Sequence, residues 1–145
     1  MVKTTIITIG KAKEHFIRDG VAEYAKRLGR DVVFKQIPQS NKLKEAKELL
    51  RSMQSHKAQF IVALDEHGLQ FSSIGFAEFL KKNQDLPFCF IIGGPDGLDE
   101  SVLNACHFKL ALSTMTMPHE LALLVFVEQF YRAQTINDGK TYHRA

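Results

Sequence analysis

Phe88-Cys89-Phe90-Ile91-Ile92 runs without a break into Gly93-Gly94-Pro95-Asp96-Gly97. Five consecutive apolar residues closed by glycine and proline are short for a buried helix and fit a strand covered on both faces. Strands of that kind belong to parallel sheets flanked by helices. The turn that follows lies where open parallel sheets take their ligands, beyond the carboxyl ends of the strands. Its glycines let backbone approach a ligand closely, and Pro95 fixes the direction of the turn.

Upstream, the same alternation repeats. Thr4–Ile9 is a β-branched run ending at Gly10, and residues 16–28 carry Ile17, Val21, Tyr24 and Leu28 at helical spacing. Val32–Ile37 reads as a strand closed by Pro38, and Leu43, Ala46, Leu50 and Met53 line one face of a second helix. Residues 60–64 form a third strand, followed by a polar loop through Gly68 and by Ser72 or Ser73 as the cap of a helix over residues 74–81. Downstream of the glycine turn, Glu100–Ala105 reads as a short helix and residues 109–112 as the last strand. A loop, Ser113-Thr114-Met115-Thr116-Met117-Pro118-His119, then opens a final helix that ends near Ala133. The polar tail, residues 134–145, is expected to be only partly ordered by its own contacts.

The 145 residues are expected to form one α/β domain, a mostly parallel sheet with helices on both faces. Hydrophobic residues at 45% and charged residues at 24% place the chain among ordinary globular proteins rather than disordered or membrane ones. Its longest wholly apolar run is residues 121–127, far short of the roughly 20 residues a bilayer span requires. No signal-peptide pattern opens the chain, so the expected location is cytoplasmic. Cys89 and Cys106 stand apart, without zinc-type spacing, and are expected to be reduced and buried, with no metal bound.

Charge is unevenly placed. Residues 1–57 hold thirteen Lys and Arg against six Asp and Glu, whereas residues 58–145 hold six against ten. Such polarity fits a basic surface for an anionic partner, with Lys11, Lys13, Lys26, Arg27, Lys42, Lys44, Lys47 and Arg51 as its candidates. The same residues are equally well read as the solvated faces of two helices. Residues 121–127 are apolar all the way round, which calls for cover on every side, either from a central place against the sheet or from a second subunit.

The glycine turn does not match the phosphate-binding fingerprints, since G-x-G-x-x-G is absent and no Lys-Ser or Lys-Thr follows at the required spacing. Residues 113–119 mix hydroxyls, thioethers and backbone amides, which suits an aromatic ring with a polar rim such as adenine. A plain strand-to-helix connection with Thr116 as cap would read the same way. The tail brings Lys140, Tyr142, His143 and Arg144 together, an ordinary terminus unless it docks on a site where an imidazole and cations serve.

Taken in order, these segments resemble the RlmH family, the large-subunit ribosomal RNA pseudouridine N3-methyltransferases of the SPOUT superfamily. The likeness is carried by Ile9-Gly10-Lys11, by Glu23-Tyr24 with Arg27-Leu28, by Ile91-Ile92-Gly93-Gly94-Pro95-Asp96-Gly97-Leu98 and by Leu112-Ser113-Thr114-Met115-Thr116-Met117-Pro118-His119. It ends with Glu128-Gln129-Phe130-Tyr131-Arg132-Ala133 and Tyr142-His143. The resemblance implies a trefoil knot in the C-terminal part, a homodimer, and methylation by S-adenosylmethionine of N3 of a pseudouridine in 23S ribosomal RNA, free or within the ribosome. It implies a cofactor against Leu64, Gly93, Leu112, Ser113, Thr114, Met115, Thr116 and Met117. An N3–H must lose its proton before it attacks, which points to His143 as base or relay and Tyr142 for orienting the base. Arg132 and Arg144 follow for charge and phosphate, although Arg132 could instead pair with Glu128 one helical turn away. Leu69 and Leu123 depart from the family, which often has Lys and Arg there, and Thr141 replaces the usual Pro. Those departures leave a non-catalytic ribosome- or RNA-binding module as the alternative.

Overall fold

The computed structural model describes residues 3–54 and 59–144. Five strands form one sheet: β1 (Thr4–Ile9), β2 (Val32–Ile37), β3 (Phe60–Leu69), β4 (Phe88–Ile92) and β5 (Phe108–Leu110). Their order is β2-β1-β4-β3-β5 and every pairing is parallel. Five helices connect or follow them: α1 (His15–Leu28), α2 (Lys42–Gln54), α3 (Ser73–Lys82), α4 (Glu100–Ala105) and α5 (His119–Asn137).

The period-two pattern of the strands sorts the core into two layers. Ile6, Val62, Phe88, Phe90 and Ile92 face α1, α3 and α5 through Leu28, Phe76, Leu80, Phe126 and Phe130. Ile7, Ile9, Ile61, Cys89 and Ile91 face α2 and α4 through Ala46, Leu49, Met53 and Val102. β4 is buried at every position, as a central strand covered on both faces should be. The expected fold class is therefore the observed one, and Ser72 caps α3, its side chain accepting the Gly75 N–H at 3.0 Å.

Three boundaries differ from expectation. β3 does not stop at Leu64 but resumes through a bulge, with Leu64 and Leu69 both in register with Leu110. Gly68 permits this: a Cβ there would lie 2.5 Å from the Lys109 carbonyl oxygen. The last strand is Phe108–Leu110 rather than residues 109–112, and just past its end the Ala111 N–H bonds Leu69 O of β3.

The third difference is the tail. α5 runs to Asn137, since Ile136 packs on the core and the Asn137 side chain donates to Ala77 O at 3.0 Å. The helix ends in a Schellman motif: Gly139, at φ 71°, donates to Ile136 O, and Lys140 donates to Thr135 O. This stop turns residues 140–144 back along the helix, so Tyr142 and His143 are half-buried rather than loosely ordered.

Candidate active site

A cleft of about 810 Å³ opens beyond the carboxyl ends of β3, β4 and β5. Of the eight residues expected to hold a cofactor, Leu64, Gly93, Leu112, Ser113, Met115, Thr116 and Met117 line it, and Thr114 does not. His119, the last residue of the loop read as suited to adenine, lines it as well, and Asp65, Glu66, Leu98 and Ala122 also line it and were not anticipated. Asp65 and Glu66 were visible as the first polar residues after an apolar strand, but nothing in the sequence showed that β3 bulges there.

Local geometry accounts for the walls. The glycine turn closes with the Gly97 N–H donating to Gly94 O at 3.0 Å, Pro95 and Asp96 at its corner and Gly97 at φ 75°. Gly93 is held against the far side of this turn, where a Cβ would sit 2.9 Å from the Gly97 carbonyl carbon. Across the cleft, Ser113 Oγ accepts the Met115 N–H at 2.9 Å, and Thr116 Oγ1 donates to Glu66 Oε2 at 3.4 Å. Thr116 is thus not the cap of α5, whose N-cap is Pro118 without a side-chain bond. Instead, Glu120 in the first turn of α5 accepts the backbone N–H of Lys13 and of Glu14, tying the entry of α1 to the start of α5.

The four residues expected to carry catalysis line no part of this cleft. Arg132, Tyr142 and His143 meet on the middle of α5, and Arg144 stands exposed beside them. From Ala122 to Arg132 the helix rises about 15 Å at 1.5 Å per residue, so the tail cluster lies well away from the cleft of its own chain. Arg132 donates through Nε and Nη2 to Glu128 Oε1 at 3.0 and 2.7 Å, and its Nη1 lies 3.0 Å from His143 Nδ1. The i, i+4 pairing of Arg132 with Glu128 is therefore real and coexists with the contact to His143.

Tyr142 Oη donates to Glu128 Oε1 at 3.2 Å and lies 3.3 Å from Tyr24 Oη. Its ring meets Tyr131 edge-on at 4.8 Å and lies under the Arg132 guanidinium at 5.0 Å. Burial first, and then the Tyr24 bond and the Glu128 charge, push the Tyr142 phenol well above its ordinary pKa, so it stays a donor. Glu128 likewise holds Arg132 firmly in its charged form. Tyr24 and Arg27 extend the cluster onto α1, with the Arg27 guanidinium 5.0 Å from the Tyr24 ring and 5.5 Å from the ring of Tyr131 on α5. Sequence reading missed Tyr24 as a member because only the fold shows α1 lying beside α5.

Leu69 is exposed at the end of β3, and Leu123 packs half-buried against the core beside Gly10 and Gly93. Among the described residues no group of three metal-ligating side chains converges, and no helix is long and apolar enough to cross a membrane.

A family model described as predicted SPOUT methyltransferase matches residues 2–143. The ribosomal RNA large subunit methyltransferase H of Prochlorococcus marinus (strain MIT 9313) is 40% identical over 140 residues, 97% of this chain and 95% of the relative. A probable methylase family protein from Haemophilus influenzae Rd KW20 superposes with a TM-score of 0.64 at 13% identity, over 99% of this chain and 71% of that one. The SpoU methyltransferase AviRb from Streptomyces viridochromogenes, solved in complex with AdoMet, gives a TM-score of 0.53 at 12% identity, over 94% of this chain and 59% of that one. The two solved structures share the fold, and the near full-length identity settles the lineage: the chain belongs to the SPOUT methyltransferases, and among them to the ribosomal RNA large subunit methyltransferase H family.

Proposed function

We propose that the chain methylates N3 of a pseudouridine in 23S ribosomal RNA, using S-adenosylmethionine, in the cytoplasm and as a homodimer with a knotted C-terminal part. The observation that carries the reading is the cleft beyond β3, β4 and β5, walled by the glycine turn on one side and by the loop of residues 113–117 on the other. Its residues fit the cofactor. Leu64, Leu112, Met115 and Met117 offer apolar and thioether contacts to an adenine face, and the Ser113 and Thr116 hydroxyls supply a polar rim. Asp65 and Glu66 bring negative charge to a ligand that carries a sulfonium and an ammonium.

When bound, S-adenosylmethionine supplies an activated methyl group, which carries the hard part of the chemistry. The chain's own task is to hold the acceptor nitrogen in line with it and to exclude water. The tail cluster offers a neutral phenol, an imidazole and two guanidinium groups to an anionic uracil-type ring and its phosphate. Because that cluster stands about 15 Å along α5 from its own cleft, a second copy is the natural source of the missing half. Partial exposure of residues 121–125, on a helix stretch apolar all round, supports cover from that second copy.

Isothermal titration with S-adenosylmethionine, with S-adenosylhomocysteine and NAD as controls, tests the cofactor. Saturable binding to the first, lost in Gly93→Leu with the fold intact, is the expected outcome. Labelled methyl transfer to ribosomes or RNA from cells lacking the modification, mapped by mass spectrometry, tests the acceptor. Absence of cofactor binding even with RNA present would leave a non-catalytic RNA-binding module.

A further inference from the structure

The hydrogen-bond directions in the tail cluster assign a proton. A guanidinium has only N–H donors and keeps its charge throughout the working pH range. Arg132 Nη1, 3.0 Å from His143 Nδ1, must therefore donate, and Nδ1 must accept. An imidazole nitrogen that accepts carries no proton, so the single proton of this neutral ring sits on Nε2. The guanidinium has little freedom to do otherwise, because Nε and Nη2 are both committed to Glu128 Oε1. Gln129 Nε2 donates to Glu128 Oε2 at 2.9 Å, and the Tyr142 phenol donates to Oε1 while Tyr24 donates to Tyr142. The carboxylate is thus held from several sides, and the direction of every bond around it is fixed.

We infer that Arg132, braced by Glu128, locks His143 as the Nε2–H tautomer, so that the imidazole works in catalysis as a hydrogen-bond donor and not as the base. The inference rests on the methyltransferase reading above and deepens it. The N3–H proton of the acceptor ring leaves to solvent hydroxide, giving water. The N3 electron pair then forms the bond to the methyl carbon as the carbon–sulfur bond breaks, its pair remaining on sulfur. Between those events the negative charge is shared with the flanking carbonyl oxygens of the ring, where an Nε2–H donor stabilises it. His143 is then the catalytic residue, and Arg132 and Glu128 are positioning residues that act through it.

Two-bond proton–nitrogen spectra of protein carrying labelled histidine read the tautomer directly, with the His143→Gln spectrum identifying the signal. His107 is an internal reference, since its Nδ1 accepts the Ile61 N–H at 2.9 Å and it must hold the same tautomer. His143 should show a protonated Nε2 and an unprotonated Nδ1, and Arg132→Gln should shift it toward an average of both forms without changing His107. A protonated Nδ1 in the unaltered protein overturns the inference, whether the ring is the other tautomer or the cation. A second measurement separates donor from base. His143→Gln keeps an N–H donor that cannot act as a base, and should retain turnover within about tenfold, whereas His143→Phe should lose about a hundredfold. Equal loss in both variants, with spectra showing both folded, overturns the donor role. Failure of either test leaves cofactor binding and methyl transfer by the unaltered protein untouched, so the two readings fail separately.

Discussion

At the scale of single residues, burial dictates reactivity as firmly as chemical type does. Cys89 is fully buried on β4, and burial pushes its thiol up to about 12; Cys106 is half-buried, donates to Val102 O at 3.2 Å, and is pushed up to about 11. The thiolate is the reactive form, so both should resist a disulfide reagent at neutral pH, with Cys106 reacting first. Labelling followed by mass spectrometry checks this; rapid modification of Cys89 in the folded protein would contradict the burial argument. The thiol character of both cysteines was legible in their isolation along the chain. The place of the cleft was legible too, because a parallel sheet takes its ligands beyond its strand ends, and seven of the eight residues that the family resemblance implies for the cofactor line it. Thr114 was not separable from its neighbours, since only the turn that Ser113 makes with the Met115 N–H decides which side chains point inward.

At the scale of elements, what sequence periodicity conveyed was the interior, and what it missed was the ends. The central strands were readable because burial on both faces leaves an unbroken apolar run, as in β4. The continuation of β3 past Leu64 was not readable, because Asp65, Glu66 and His67 look like a loop and are in fact the outer edge of a bulge. Gly68 makes the bulge possible by lying against the β5 backbone, and a Cβ there would meet Lys109 O at 2.5 Å and Leu110 N at 2.8 Å. Neither atom belongs to a side chain that can swing aside. Gly68→Ala should therefore cost about 1–3 kcal/mol of stability by overpacking. It should also loosen the Asp65 and Glu66 rim enough to weaken cofactor binding. Denaturant unfolding and titration together test this; unchanged values in both would mean that β3 and β5 separate freely. The docking of the tail was likewise invisible, since Gly139 as a helix stop is common, and only the return of the tail along α5 gives Tyr142 its partner Glu128, as only the α1–α5 packing gives it Tyr24.

At the scale of the whole molecule, the uneven charge of the two halves and the uncovered start of α5 raise one question: whether a complete site belongs to one chain or to two. Cleft and tail cluster lie on the same helix but about 15 Å apart along it, too far for one acceptor ring to touch both within a single protomer. Two inactive variants distinguish the cases. Gly93→Leu spoils the cleft and leaves the tail, whereas His143→Phe spoils the tail and leaves the cleft. Mixed in equal amounts under conditions that allow exchange, half of the dimers would carry one chain of each kind. If the tail of one chain serves the cleft of the other, each mixed dimer regains one intact site, and the mixture should recover about one quarter of the original specific activity. If each chain uses its own tail, every site in the mixture keeps a damaged half and no activity returns. Recovery that rises with the exchange time and follows the mixed-dimer fraction seen by native mass spectrometry would establish a site shared across the two chains. A mixture that exchanges fully and stays inactive would require the tail to leave Glu128 and reach its own cleft, which would dissolve the cluster described above.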